Sequence, residues 1–442
     1  MKKIILALGW ALMLGLLVCL LWQWPPTAPE ATESNTSTTT VAPTLPQVKA
    51  AGPATVTNVS STAPDSPALS KADRLMLGLV QRMLANEHAL PNQAVVKFGS
   101  LEEMRQFLRL AASHKLPILG RIDALKTVRI GYSSPEQLRN LLLDGGTLCD
   151  NLDVNYYARM PSILQQQNLA TKPEGGYASY QDAGGFLTAI GANTDRSTWG
   201  KNVLVAVVDS GVEDHPTFAP GQITHYDLVK DALPFNGHGT AMASLIAGQD
   251  PQAPGVAPGS KIVDVRVLNS QGEGDGFTLA AGIVQASDAG ATVINLSVSS
   301  YGDSQPVREA VAYAESRGSV VIAAAGNDNT ADQLAFPAAI ASVISVGGVD
   351  ANKNTAYFSN AGDGLTVAAP AVGIQSAYGT NKLVLGDGTS QATAITSGIL
   401  AYGIANGSTS AAGAAAWLQK NALPLDQPAK NVGAGMVQIP AK

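Results

Sequence analysis

At 442 residues the chain has room for more than one folded unit and a tether, which excludes a lone small domain. A content of 45% hydrophobic and 14% charged residues, with 44 glycines for tight turns, describes a folded protein rich in small side chains and excludes a disordered one. The net charge of −6, with no basic run beyond Lys2 and Lys3, gives no electrostatic footprint for nucleic acid, so that partner is discarded.

Lys2 and Lys3 precede an apolar run at 4–24 whose strongly polar member is Gln23. As a helix those residues span about 31 Å, enough to cross a bilayer. A cleaved signal peptide has a shorter apolar core and a small-residue cleavage site, whereas this run ends in Trp24-Pro25-Pro26. The run therefore reads as an uncleaved anchor, the cleaved signal peptide being the alternative. Its positive flank places the N-terminus in the cytoplasm and the rest outside, periplasmic or extracellular, as a single-pass membrane protein; cleavage would make it secreted. Residue 18 is Val, not the small residue a lipoprotein signal wants before its cysteine, so Cys19 is not read as a lipidation site. The other cysteine, Cys149, is far away in sequence, and two such residues build neither a disulfide framework nor a zinc site.

Residues 25–70 are Pro, Thr, Ser and Ala in low-complexity order without an aromatic, a tether that cannot bury enough surface to fold. From 71 to 162 a compact mixed unit follows. A strand at 93–98 leads to a helix opened by Ser100 with Met104, Phe107, Leu108 and Ala111 at helical spacing. Strands at 117–122 and 126–130 come next, then a helix opened by Ser133-Ser134-Pro135-Glu136, then a last strand at 152–159. The order βαββαβ describes a small α+β sheet with helices on one face. A linker at 163–180 separates it from the remainder, 181–442.

There, continuous β-branched runs at 203–208, 262–268, 292–297, 319–325 and 342–347 alternate with helices near 239–248, 277–289, 305–317, 391–404 and 409–420. Unalternating strands separated by helices predict an α/β, doubly wound, mostly parallel sheet covered on both faces. Sites of such folds lie at the carboxyl ends of the strands.

Four residues fall there. Asp209 ends V-A-V-V-D-S-G; a structural Asp at a strand end would look the same. His238 lies between two glycines before an apolar helix, where the helix dipole favours a neutral imidazole; a capping role is the plainer reading. Asn327 closes V-V-I-A-A-A-G-N, a position also suited to a turn. Ser390, in G-D-G-T-S-Q-A-T-A, opens a helix where an ordinary N-cap serine is common, and where backbone N–H groups also aim at an oxyanion. Together they supply a nucleophile, a base, a carboxylate to orient the base and an amide donor, all at one predicted sheet edge.

The order Asp, His, Asn, Ser and the motifs D-S-G, H-G-T, A-A-G-N and G-T-S resemble the subtilisin family of serine peptidases, the subtilases. The resemblance runs from about 175 to 442 and extends to V-I-N-L-S, F-P-A, S-V-I-S-V-G-G-V-D, F-S-N-A-G and G-A-G-M-V. It implies a serine endopeptidase acting on polypeptide substrates, which the orientation of the anchor puts outside the cytoplasm, with Asp209, His238 and Ser390 as triad and Asn327 as oxyanion donor. It implies substrate contacts from Ser297, Val298 and Ser299 on one side, Ala325 and Gly326 across the first specificity pocket, and Gly272 and Gly274 by the next subsites. Glu273 and Asp275 are candidates for favouring basic substrate residues, or plain solvated loop acids. The unit 71–162 resembles the subtilase propeptide, an inhibitor and folding template seated in the cleft. Self-cleavage of the zymogen would then fall between residues 159 and 175.

The chain departs from the family pattern at Gln391 for Met, at Ala394 for Pro and at Ser299 for Gly, changes that remove no catalytic group. No metal or cofactor is assigned; calcium follows only from the resemblance, since no carboxylate cluster has a recognisable ligand spacing. Two other readings are weighed. A silent, membrane-tethered binding module of the same fold would not need all four catalytic residue types. An α/β-hydrolase esterase wants G-x-S-x-G and the order Ser, Asp, His, which Ser390 lacks.

Overall fold

A computed structural model describes residues 69–160, 177–180 and 183–440. All fall in one compact unit, Pro67–Lys442. The anchor at 4–24 and the tether up to residue 68 lie outside the described residues; among the described residues no helix is long and apolar enough to cross a membrane.

The N-terminal part opens with α1 (Lys71–Ala85), which the sequence reading did not contain. Ser70 caps it by accepting from the Asp73 N–H, and Ala72, Met76 and Leu79 form its buried stripe. Then come β1 (Gln93–Lys97), α2 (Leu101–Ser113), β2 (Ile118–Ile122), β3 (Thr127–Gly131), α3 (Pro135–Gly145) and β4 (Asn151–Asp153). Ser100 and Ser134 accept from the Glu103 and Gln137 N–H groups, so both expected helix starts rest on side-chain caps. The four strands form an antiparallel sheet in the order β2-β3-β1-β4.

The expected single strand at 152–159 is corrected to two strands in two sheets. β4 ends at Asp153, and β5 (Tyr157–Arg159) leaves for the larger unit. Asn155 makes the turn: its Nδ2 donates to Asp275 (3.0 Å) and its Oδ1 accepts from the Phe277 N–H (3.1 Å), so the chain is drawn off the small sheet.

The larger part contains β6 (Leu204–Asp209), β7 (Ile223–Asp227), α4 (His238–Ala247), β8 (Lys261–Arg266), β9 (Glu273–Asp275), α5 (Gly276–Asp288), β10 (Val293–Leu296), β11 (Ser299–Ser300), α6 (Gln305–Ser316), β12 (Val320–Ala324), β13 (Ile344–Val349), β14 (Val367–Pro370), the hairpin β15 (Ile374–Tyr378) and β16 (Lys382–Gly386), and α7 (Thr389–Ala405). Seven strands form one parallel sheet in the order β14-β13-β12-β10-β6-β8-β7.

Alternate side chains of β6 enter different cores, as strand geometry requires. Val205 and Val207 join Met242 of α4 and Ile395 of α7 on one face. Ala206 and Val208 join Ile283 of α5 and Val311 of α6 on the other. That is the doubly wound arrangement. The second core also takes in Val95, Ile122 and Leu125 of the N-terminal part. Lys97–Glu309 (2.6 Å) and Arg129–Asp275 (2.5 Å) ion pairs flank this junction.

Candidate active site

Asp209 stands at the carboxyl end of β6, fully buried. Its carboxylate accepts from the Ser210 N–H (2.6 Å) and faces His238 Nδ1 with both oxygens, at 2.8 and 2.9 Å. An imidazole nitrogen facing two carboxylate oxygens must carry the proton, so Nδ1 donates and Nε2 is left as the basic nitrogen. His238 is the first residue of α4, preceded by Gly237 at φ 92°, a left-handed turn that glycine adopts without strain. The next N–H, of Gly239, donates to Ser210 Oγ (3.1 Å), fastening the helix start to the end of β6.

Ser390 is the second residue of α7 and is 2% exposed. Among the described residues, Ser390 Oγ and His238 Nε2 are both buried without a hydrogen-bond partner, as are the neighbouring Gln391 Oε1 and Ser299 Oγ. Buried polar groups are nearly always paired, and those that are not mark sites that complete their bonding with a reactant.

Asn327 is oriented by Thr389. Its Oδ1 accepts from both the Thr389 N–H (2.9 Å) and the Thr389 hydroxyl (2.8 Å). A backbone N–H only donates, which fixes the oxygen toward Thr389 and turns the amide Nδ2 toward Gly388, where an added Cβ would meet it at 3.2 Å. The Thr389 oxygen also accepts from the Gly326 N–H (3.2 Å), tying the A-G-N turn to the G-T-S turn. Sequence reading missed this residue. Its signal was a hydroxyl beside the nucleophile at a helix start, a feature easily credited to capping alone.

The predicted substrate strand divides. Ser299 pairs with Arg159 and Ser300 with Ala158, and the Tyr301 N–H donates to the Tyr157 carbonyl (3.1 Å). Ser297 lies further back, fully buried. Its hydroxyl donates to the Ser390 carbonyl (3.2 Å) and accepts from Asn295, whose Oδ1 accepts from Ser397 Oγ (3.1 Å). That chain fastens the backbone of Ser390, the candidate nucleophile. Val298 is part of the core.

On the other side β5 pairs with β9, Ala158 opposite Gly274 and Arg159 opposite Glu273, and the Met160 N–H donates to the Gly272 carbonyl (3.0 Å). Residues 157–160 are thus an extended peptide clamped between the two edges predicted to hold substrate. Ala158 is buried at 1% exposure while Tyr157 and Arg159 on either side stay open.

Beside Ser299 lies a cavity of about 530 Å³ whose walls include Ser299, Asp328, Leu334, Ala335, Phe336 and Asn360. Ala325 and Gly326 are not in its wall; Gly326 packs behind Asn360. Asp275 is neither a solvated acid nor a pocket residue. It caps α5 through the Thr278 N–H (2.9 Å) and pairs with Arg129. Glu273 remains exposed. The departures Gln391 and Ala394 are both buried; Gln391 fills the space left by the missing side chains of Gly386 and Gly388. Among the described residues no group of three or more His, Cys, Asp or Glu side chains is placed to hold a metal ion.

Comparison with known proteins gives this geometry a lineage. The sequence profile of the subtilase family matches residues 200–435, over half of the chain. M-protease of Shouchella clausii is 37% identical over 217 residues, which are 47% of this chain and 55% of that protein. Subtilisin Savinase of Lederbergia lenta is 37% identical over 209 residues, 45% of this chain and 75% of that one. The chain thus spans just over half the length of the first relative and three quarters of the second. In fold it resembles fervidolysin of Fervidobacterium pennivorans, with a TM-score of 0.65 at 23% identity over 79% of this chain and 60% of that one. The profile match and the Savinase identity lead to one statement of kinship: the chain belongs to the subtilase family.

Proposed function

We propose that the chain is a serine endopeptidase made as a self-processing zymogen, acting on polypeptides outside the cytoplasm. The observation that carries this reading is β5, an extended segment of the chain itself, paired along its backbone on both sides with β9 and β11, the two segments expected to hold substrate. A cleft that holds one polypeptide strand by its backbone suits others, because main-chain pairing is indifferent to side chains while pockets add selectivity.

In the proposed reaction Ser390 Oγ attacks the scissile carbonyl carbon and its proton passes to His238 Nε2, whose cation Asp209 stabilises. Asn327 Nδ2 and the Ser390 N–H receive the oxyanion. Collapse breaks the C–N bond, and the leaving amine takes the proton from His238. Water then attacks the acyl-enzyme with His238 again as base, releasing the acid and restoring the serine. Thr389 and Ser297 hold the donor and nucleophile in place. The unit 71–162 acts as the inhibitor of its own catalytic part. The run at 4–24 supports a membrane anchor with catalysis on the far side, which cell fractionation tests: carbonate-resistant membrane association is expected, and a soluble full-length chain would refute it.

Intact-mass analysis of the full chain in detergent, beside Ser390→Ala, tests the chemistry. Wild type should split between residues 159 and 175 while the variant stays whole. If both stay whole and a fluorophosphonate leaves Ser390 unlabelled, the domain is a silent tethered binding module.

A further inference from the structure

Arg266, the last residue of β8, is the largest side chain in the described residues with under 2% exposure, and nothing in the proposed chemistry uses it. Taking a guanidinium out of water is costly unless its charge and its N–H groups are matched. Here the match comes from one short stretch of chain. Nη1 donates to Asp227 Oδ2 (3.2 Å), Nη2 forms an ion pair with Asp231 Oδ1 (2.8 Å), and the guanidinium lies over the Phe235 ring, 4.7 Å from its centroid. Those three residues mark the start, middle and end of the connection from β7 to His238. The Asp231 contact lacks hydrogen-bond alignment, so it contributes charge and not direction.

Phe235 reaches the backbone that follows Asp209. Its ring lies against Gly211, two residues after Asp209, so closely that a Cβ on Gly211 would meet it at 2.7 Å. Asn236 donates to the Ser270 carbonyl (2.9 Å), and the left-handed Gly237 then delivers His238. On its other side Arg266 Nε donates to the Leu268 carbonyl (3.3 Å), just ahead of the segment that supplies Gly272 and Gly274 to the cleft. Asp209, Arg266 and Asp227 are register partners across three adjacent strands, so Arg266 sits between the strand that carries the carboxylate and the strand that leads into the connection bringing the base.

We propose that Arg266 is a positioning residue: through Asp227, Asp231 and Phe235 it sets where His238 stands relative to Asp209. This deepens the reading of Asp209, His238 and Ser390 as a triad and rests on it. A lysine keeps the charge but loses the planar fork and the ring stacking, so Arg266→Lys isolates geometry from electrostatics.

The test follows fluorophosphonate inactivation of the full chain against probe concentration and pH for wild type, Arg266→Lys and Arg266→Gln, below each melting point. For Arg266→Lys the maximal inactivation rate should fall roughly tenfold with half-saturation within about twofold, since misplacing a catalytic group lowers turnover more than binding. Its pH profile should also change shape, because the contact that wild type makes between His238 and both Asp209 oxygens, at 2.8 and 2.9 Å, is altered. Arg266→Gln should be at least as slow; if it fails to fold, Arg266→Lys decides. Wild-type rate and pH profile in a lysine variant that has only lost thermal stability would overturn the positioning role. Failure of wild type itself to label would instead overturn the triad reading.

Discussion

Replacing Asp275 by Asn removes one of the carboxylate's jobs, the pairing of its charge with Arg129, and leaves an oxygen to accept from the Thr278 N–H and from Asn155 Nδ2. As the N-cap of α5 it accepts from the Thr278 N–H, a task asparagine performs equally well. As the partner of Arg129 it fastens the N-terminal unit to the catalytic part, and that task needs the charge. The two side chains are 18% and 16% exposed, so solvent screens the pair little. A charge-assisted hydrogen bond in such a setting contributes about 2 kcal/mol, which corresponds to roughly a thirtyfold change in an opening equilibrium. Hydrogen exchange on the Ser390→Ala chain, which lacks the proposed nucleophile, reads that equilibrium at the Met160 amide, bonded to Gly272. Asp275→Asn should speed Met160 exchange about thirtyfold while the first turn of α5 keeps its protection. Exchange at the wild-type rate would refute the claim that this ion pair holds the strand in the cleft. Equal acceleration in the helix would assign the effect to the cap.

Asn327→Ala should lower kcat by about 10² to 10³ with KM nearly unchanged, the size known for the matching change in subtilisin itself and carried over by kinship; steady-state peptide hydrolysis checks it. His225 Nδ1 is hydrogen-bonded to Asp264 (2.9 Å), which raises its pKa above the ordinary 6.5. The folded state then holds the proton more tightly than the unfolded one, so this stabilisation is full below about pH 6.5 and fades as pH climbs through the raised value. Melting temperature against pH should therefore fall above that point in wild type and lose this component in His225→Gln; parallel curves would rule the linkage out. Burial pushes the Cys149 thiol up to about 12. The native chain should resist iodoacetamide at Cys149 at pH 8 and react once unfolded, as peptide mass mapping would show.

The central strands could be read from sequence because they are buried on both faces and carry one continuous apolar signal, as in Val205 to Val208 and Val320 to Ala324. β7 and β14 could not. They are the two ends of the sheet: β7 reads I-T-H-Y-D and is only partly buried, while β14, though buried, is four residues long and closes on a proline, so neither carries a long apolar run. α1 was lost beside a low-complexity tether, although Ser70 and Asp73 carried a capping signal. At the site, Asp209, His238, Asn327 and Ser390 were visible through strand ends and helix starts. The side chains that orient them were not. Thr389, Asn295 and Arg266 act through partners 62, 102 and 39 residues away in sequence, and spacing carries no information about such pairs.

If 71–162 has the inhibitory role proposed above, the central place of β5 in its three-stranded sheet sets how that inhibition depends on amount. While 71–160 and the catalytic part share one chain, the strand competes for the cleft at an effective concentration set by the connecting residues, and diluting the protein changes nothing. Once a bond beyond residue 160 is cut, the same hydrogen bonds join two separate molecules, and occupancy of the cleft obeys ordinary mass action. The proposed hydrolysis would thus convert a concentration-independent block into a dissociable one, kept together at high concentration and released on dilution.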